Sequence, residues 1–263
     1  MKKLQQQIHA SQTGKVELVL RNAKVADVFS RTWLDADVGI TAGKIVAVDY
    51  TKSLVGQTEQ DIAGQYVVPG FIDGHIHIES SMLTPSEFSR ILLPHGITSV
   101  VTDPHEIANV NGAEGIQFML DDAAKADMDI FVMLPSSVPG TSLENAGAVL
   151  HAKDLAPFMT HDSVLGLAEV MDYPAVLNGD ETMLEKLLLA RAHNLMIDGH
   201  GAGLQHMQIR GYRTAGIHTD HECVTADEAR DRVTQGMYVL IREGSAAKNL
   251  RDVLPAVTDA NAH

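Results

Sequence analysis

Beyond residue 66 the chain alternates short, unbroken apolar runs with longer amphipathic stretches. The runs are Tyr66–Ile72, Ile97–Val101, Ile130–Leu134, Val164–Ala168, Leu195–Ile197, Ala215–Ile217 and Met237–Ile241. Continuous apolar runs of this length suit strands covered on both faces, as in a parallel sheet. The stretches between them carry helix-start signals. Thr84-Pro85-Ser86-Glu87 offers an N-cap threonine, a proline at the first helical position and a glutamate able to close a capping box, with Gly96 as the stop. Thr225 with Glu228 repeats the device, ending at Gly236, and Asp180 and Ser245 cap predicted helices over 181–193 and 246–253.

Before residue 66 the texture is different. Residues 1–14 are polar and predict a frayed lead-in. Val16–Leu20 alternates in part, and Val38–Val48 reads as two strands around a turn at Gly43. The expectation is two domains. Residues 1–66 form an N-terminal β subdomain, a partial sandwich, and residues 67–263 form an α/β (β/α)8 TIM-type barrel. Strand followed by helix in this order predicts right-handed crossovers. Seven barrel strands are visible and a full barrel has eight, so the barrel is expected to be incomplete and to lack its last strand.

Composition narrows the function classes. The net charge of −14 opposes a phosphate-binding surface, so neither nucleic acid nor an anionic membrane is an expected partner. The one cysteine, Cys223, rules out an intrachain disulfide. The start has two lysines with no apolar segment behind them and is not a signal peptide. A cytoplasmic protein is expected, acting on a small molecule.

The 13 histidines carry more information, because several follow directly on the apolar runs. Active sites of barrels sit where the strands end. There the chain places Asp73-Gly74-His75-Ile76-His77, then Asp103-Pro104-His105-Glu106, then Glu169, Asp198-Gly199-His200, Asp220-His221-Glu222 and Arg242-Glu243. His75 and His77 are two apart, so on a strand both imidazoles face one side. Each of these residues also has an ordinary reading, a hydrogen-bonded strand-end histidine or a salt-bridged loop carboxylate. Taken together, His75, His77, Glu169, His200 and His221 make a nitrogen and oxygen donor set without thiolate, suited to Zn, Mn or Fe(II). A carboxylate such as Glu169 can bridge two cations, which implies two divalent ions. Such ions generate hydroxide near neutral pH, and Glu222 and His221 stand where proton transfer to a leaving nitrogen is needed, as do Asp103, His105 and Glu106. Ser81, His105, Glu106, Arg242 and Glu243 are candidate substrate contacts. Ser80-Ser81 and Ser136-Ser137 lack a nucleophile-elbow context, and a lone cysteine cannot supply the Pro-Cys-x-x-Cys pair of cytidine-type deaminases.

Val68-Pro69-Gly70-Phe71-Ile72-Asp73-Gly74-His75-Ile76-His77 resembles the first-strand signature of the amidohydrolase superfamily. Ile78–Met82, Asp103–Val110, Gly166–Pro174, Asp198–His200 and Ile241–Ala247 resemble, more narrowly, the bacterial adenine deaminase family. The resemblance implies hydrolysis of adenine to hypoxanthine and ammonia by a metal-activated hydroxide, a purine substrate and a two-metal centre associated with Mn or Fe. A homo-oligomer is also expected. By match, His75, His77, Glu169, His200 and His221 would be the ligands. Glu169 stands where related cyclic-amide hydrolases carry a carboxylated lysine. The strand-eight aspartate of the superfamily would lie past His263, so little or no activity is expected of these residues alone. Another amidohydrolase acting on a cyclic amide or amidine, and a non-catalytic metal-binding fragment, remain the alternatives.

Overall fold

A computed structural model describes residues 1–262, which divide into two compact units, one of residues Met1–Gly70 and one beginning at Phe71. The boundary has a local cause. The apolar run Tyr66–Ile72, expected as one strand, is two: β5 (Tyr66–Val67) in the first unit and β6 (Phe71–Ile76) in the second. Pro69 lacks the N–H that a continuous strand needs, and Gly70 follows it, so pairing stops and restarts.

The first unit is a mixed sheet. Strands β1 (Lys15–Asp27), β2 (Thr32–Thr41), β3 (Lys44–Asp49) and β4 (Val55–Asp61) run in the order β3-β2-β1-β4, with β5 added alongside β1. The β1–β2 and β2–β3 pairs are antiparallel, whereas β4 and β5 are parallel to β1. Residues 1–14 are not frayed. Helix α1 (Lys2–Thr13) buries Ala10 against Val16, Val19 and Leu54, and Gly14 closes it in the left-handed region. Its Gln7 amide also donates to the carbonyl of Ala42 at 3.2 Å. A polar sequence with good helix formers and one apolar contact suffices here, because the docking residues lie elsewhere in the chain.

The second unit is a curled, all-parallel half-barrel sheet, β10-β9-β8-β7-β6, followed by a two-strand parallel pair β11-β12. The remaining strands are β7 (Ile97–Thr102), β8 (Asp129–Leu134), β9 (Val164–Val170), β10 (Met196–Gly199), β11 (Thr219–Asp220) and β12 (Tyr238–Val239). The sixth run was displaced in the sequence reading. Ala215 caps the preceding helix and Gly216 takes a positive φ, so the strand begins at Thr219.

Helices α2 (Pro85–Leu92), α3 (His105–Ala123, broken at Gly112), α4 (Ala152–Leu155), α5 (Tyr173–Asn178), α6 (Glu181–Ala192), α7 (His206–Thr214), α8 (Ala226–Thr234) and α9 (Leu250–Val253) fill the crossovers. Asp180 caps α6 through the Met183 amide, and Thr225 with Glu228 forms the expected capping box of α8. Two caps differ. Thr84 makes no cap bond. Asp122, on α3, takes that place and accepts from the Ser86 amide at 2.9 Å and the Ser86 hydroxyl at 2.8 Å. Ser245 lies outside a helix that starts only at Leu250, with Asn249 at its cap position. The main core packs Val132, Leu134, Leu155, Leu167, Ile197 and Tyr212 between sheet and helices. Among the described residues no helix is long and apolar enough to cross a membrane.

Candidate metal centre

Parallel strands all end on one rim, and the donors gather there around Glu169. This residue is the last but one of β9, the strand between β8 and β10, and is 3% exposed. Five imidazoles converge on its carboxylate. His200 Nδ1 and His221 Nε2 lie 2.7 and 2.9 Å from Oε2, and His75 Nε2 lies 3.7 Å from the same oxygen. His105 Nδ1 and His77 Nε2 lie 3.4 and 3.5 Å from Oε1. The His75 and His221 rings stack with centroids 3.8 Å apart.

The remaining ring nitrogens show what this arrangement needs. His77 Nδ1 donates to the carbonyl of Asp103 at 3.0 Å. In the neutral tautomer Nε2 then carries the lone pair, aimed at a carboxylate oxygen. His75 repeats the pattern, with Nδ1 3.2 Å from Asp198 Oδ2, so that Nε2 faces Glu169 and is buried without a hydrogen bond. Acceptor facing acceptor is unfavourable unless a cation lies between them. A carboxylate or carbonyl behind the histidine is also the usual support of a ligating imidazole. Asp103 Oδ1 and His221 Nδ1 are likewise buried and unpartnered. Three overlapping donor groups result: His77, Asp103, His105 and Glu169; His75, Glu169 and His221; His200, His221 and Glu222. In each, one ligand atom per residue lies within 4.8 Å of the others. The residues fit a divalent ion.

Electrostatics agree with geometry. Burial opposes ionisation of Glu169, but the hydrogen bonds from His200 and His221 outweigh it and hold the carboxyl well below its usual range. Burial likewise opposes charging of His105, yet the Asp103 hydrogen bond and the surrounding carboxylates raise it to about 9. His221 is raised in the same way, by Glu169 against its own burial. Desolvation pushes Asp103 up. A field that draws protons onto imidazoles also attracts divalent cations, which compete for the same lone pairs.

The other sequence-derived candidates divide by location. Glu222 Oε1 lies 3.6 Å from His221 and 3.8 Å from His200, and Arg242 grips both oxygens of that carboxylate. His105 joins the donor cluster itself. Glu106 accepts from the Ser80 hydroxyl at 2.5 Å, and the Ser81 hydroxyl turns back to the carbonyl of Ile78. Glu243 caps the amide of Leu250. Ser136, which lacks a nucleophile-elbow context, is buried and donates to the Glu169 carbonyl at 2.6 Å. Two contributors, Asp198 and Tyr212, escaped the sequence reading, whereas Asp103 was among its candidates. Asp198 supports His75, Asp103 completes a donor group, and the Tyr212 hydroxyl donates to the Val170 carbonyl while accepting from the His200 amide. Asp198 adjoins the strand-end His200 and was open to inference. Tyr212, on α7, carries no such signal.

This half-barrel, with its strand-end histidines around a buried carboxylate, is the frame of a metal-dependent hydrolase class, and the family comparison is direct: residues 66–252 match the amidohydrolase family, so the chain belongs to it. Among curated relatives, an adenine deaminase from Lysinibacillus sphaericus is 68% identical over 100% of this chain and 45% of that protein. An adenine deaminase from Bacillus subtilis is 52% identical over 94% of this chain and 42% of that protein. The chain thus spans about half the length of the curated relatives it matches. Among solved structures, an N-acyl-D-glutamate deacylase from Bordetella bronchiseptica, complexed with zinc, matches with a TM-score of 0.57 at 16% identity, covering 86% of this chain and 57% of that one. A dihydroorotase matches with a TM-score of 0.53 at 14% identity, covering 84% and 64%. At such identities the likeness is one of fold.

Proposed function

We propose that this chain belongs to an adenine deaminase, which adds water to the amino-bearing carbon of adenine and yields hypoxanthine and ammonia. The observation that carries the reading is the convergence of five imidazoles on the Glu169 carboxylate, with Nε2 of His75 and of His77 facing its oxygens where a cation would sit. The adenine deaminases that match over 100% and 94% of this chain support the choice of substrate. His75, His77, Glu169, His200 and His221 are assigned as metal ligands, with His105 and Asp103 completing the donor group on the His77 side. Nitrogen and oxygen donors without thiolate suit Mn, Fe(II) or Zn, and a carboxylate such as Glu169 could serve two ions. When bound, the ions would supply water activation near neutral pH. Glu222, held in orientation by Arg242, takes the proton from the attacking water and returns it to the departing amine, with His221 alongside. We assign the reaction to purine metabolism in the cytoplasm, in a homo-oligomeric enzyme.

The test is ammonia release from adenine, guanine and a hydantoin by the complete protein loaded with Mn(II), Fe(II) or Zn(II). Turnover of adenine alone is expected. Turnover of guanine or hydantoin without adenine would move the protein to another branch of the family.

A further inference from the structure

Two buried charges lie outside the donor cluster yet hold its frame. Asp220 ends β11 and is fully buried, and Arg232, on α8, is 1% exposed. Arg232 Nε donates to Asp220 Oδ2 at 2.9 Å, and a terminal nitrogen of the same guanidinium donates to the Gly201 carbonyl at 2.7 Å. Asp220 Oδ1 accepts from the Gly201 amide at 3.0 Å and the Glu222 amide at 2.9 Å. The pair therefore grips the residue after His200 at both its N–H and its C=O, and the residue after His221 at its N–H. Gly201 is a glycine for this contact, because a Cβ there would stand 2.5 Å from Asp220 Oδ2. Gly199, on the other side of His200, has a similar reason: a Cβ would stand 2.1 Å from the Thr219 carbonyl. Two glycines bring the β10 turn against β11, and the ion pair locks the two turns together.

We propose that Asp220 and Arg232 are positioning residues that set the separation of the His200 and His221 imidazoles, and thereby the affinity of the site for a divalent cation. The inference rests on the metal-centre reading above. Its physical basis is that a ligand set grips an ion only when its nitrogens are held within a few tenths of an ångström, and here the holding bonds come from a pair sealed from water. Such a pair resists rearrangement, since separating the partners leaves a buried charge uncompensated. Each hydrogen bond it makes to Gly201 or Glu222 acts on backbone, so the two imidazoles move only if the turns move.

The experiment is a Co(II) titration of the metal-depleted full chain, because the visible absorption of Co(II) reports ligand geometry as well as occupancy. R232M is expected to weaken Co(II) binding about 10–100-fold, the range seen for residues that orient ligands, and to shift the visible band. R232K, which keeps the charge but cannot bridge Asp220 and Gly201 with one planar group, is expected to recover part of both. D220N should move both readouts in the same direction as R232M by a smaller factor, and it decides the question should R232M not fold. L155A, which empties core volume on a helix bearing no donor, should lower the melting temperature and leave Co(II) affinity and spectrum alone. Wild-type affinity and spectrum in folded R232M and D220N would overturn the proposal, as would an equal change in L155A. Absence of Co(II) uptake by the wild-type chain would overturn the metal centre and this inference with it. Uptake by the wild type with unchanged variants would remove only the positioning role.

Discussion

Two buried polar networks sit side by side at the strand ends, and they are opposites. Around Asp220, among the described residues, no polar side-chain atom of the pair is buried without a partner: one guanidinium, one carboxylate and the backbone of Gly201 and Glu222 are joined by four hydrogen bonds. Around Glu169 the contacts do not close, with acceptor facing acceptor and the orphaned atoms His75 Nε2, His221 Nδ1 and Asp103 Oδ1. A satisfied network is a finished piece of structure. An unsatisfied one of this size is stable only with something added, because each orphaned buried polar atom costs about 1–3 kcal/mol. The difference separates scaffold from site without reference to any relative.

The comparison can be strained at several points. The largest effect is expected at its centre. E169Q keeps the shape but removes the charge that the imidazoles surround, and divalent affinity measured by equilibrium dialysis should fall at least about 100-fold, with ammonia release from adenine falling alongside. Chelation tests the same network from the other side. At a metal concentration about 100 times Kd a bound ion contributes about 2.7 kcal/mol, so metal-depleted protein should melt several degrees lower, and a restored ion should return the transition. A scan in which chelator has no effect would mean that the Glu169 network closes on its own.

A third carboxylate calibrates the small end. Asp122 caps α2 from a distance, and D122A should cost about 1 kcal/mol in urea unfolding at neutral pH. Burial works against its ionisation, but the Ser86 amide and hydroxyl and Lys125 lower the carboxyl to about 2 in the folded chain. A carboxyl whose folded value is depressed contributes stability above the unfolded value near ~4 and loses it as pH falls toward about 2. The gap between wild type and D122A should therefore narrow between pH 5 and pH 2 (about 1 kcal/mol at most). A constant gap would show that the cap acts through packing and not through charge.

What could be read from sequence follows from how far each residue reaches. Strand-end histidines and carboxylates were visible because runs of apolar residues announce where strands stop, and a parallel sheet puts all those ends together. Asp180 and Thr225 were visible as caps because their partners lie three residues away. Thr84 misled because its place is taken by Asp122, on a different helix, and no local pattern encodes that. Helix α1 was missed because its support comes from Leu54 and Ala42, far along the chain. The sixth strand was misplaced because Ala215-Gly216-Ile217 is apolar for a different reason: it closes a helix and dives into the core. Nothing in the local sequence sets Arg232 apart from the other charges of helix 226–234, and only its burial against Asp220 distinguishes it.

The position of Glu169 on β9 has a kinetic consequence. That strand is hydrogen-bonded on both sides and nearly wholly buried, whereas β6, which carries His75, is a terminal strand of its sheet, with Phe71 and Ile72 more than half exposed. Amide deuteration should reach β6 long before β9, since edge segments fray at a fraction of the free energy of global unfolding. In these residues taken alone, an ion held by both would leave by that fraying, so its off-rate would track the loosening of one terminal strand while the central anchor stays in place.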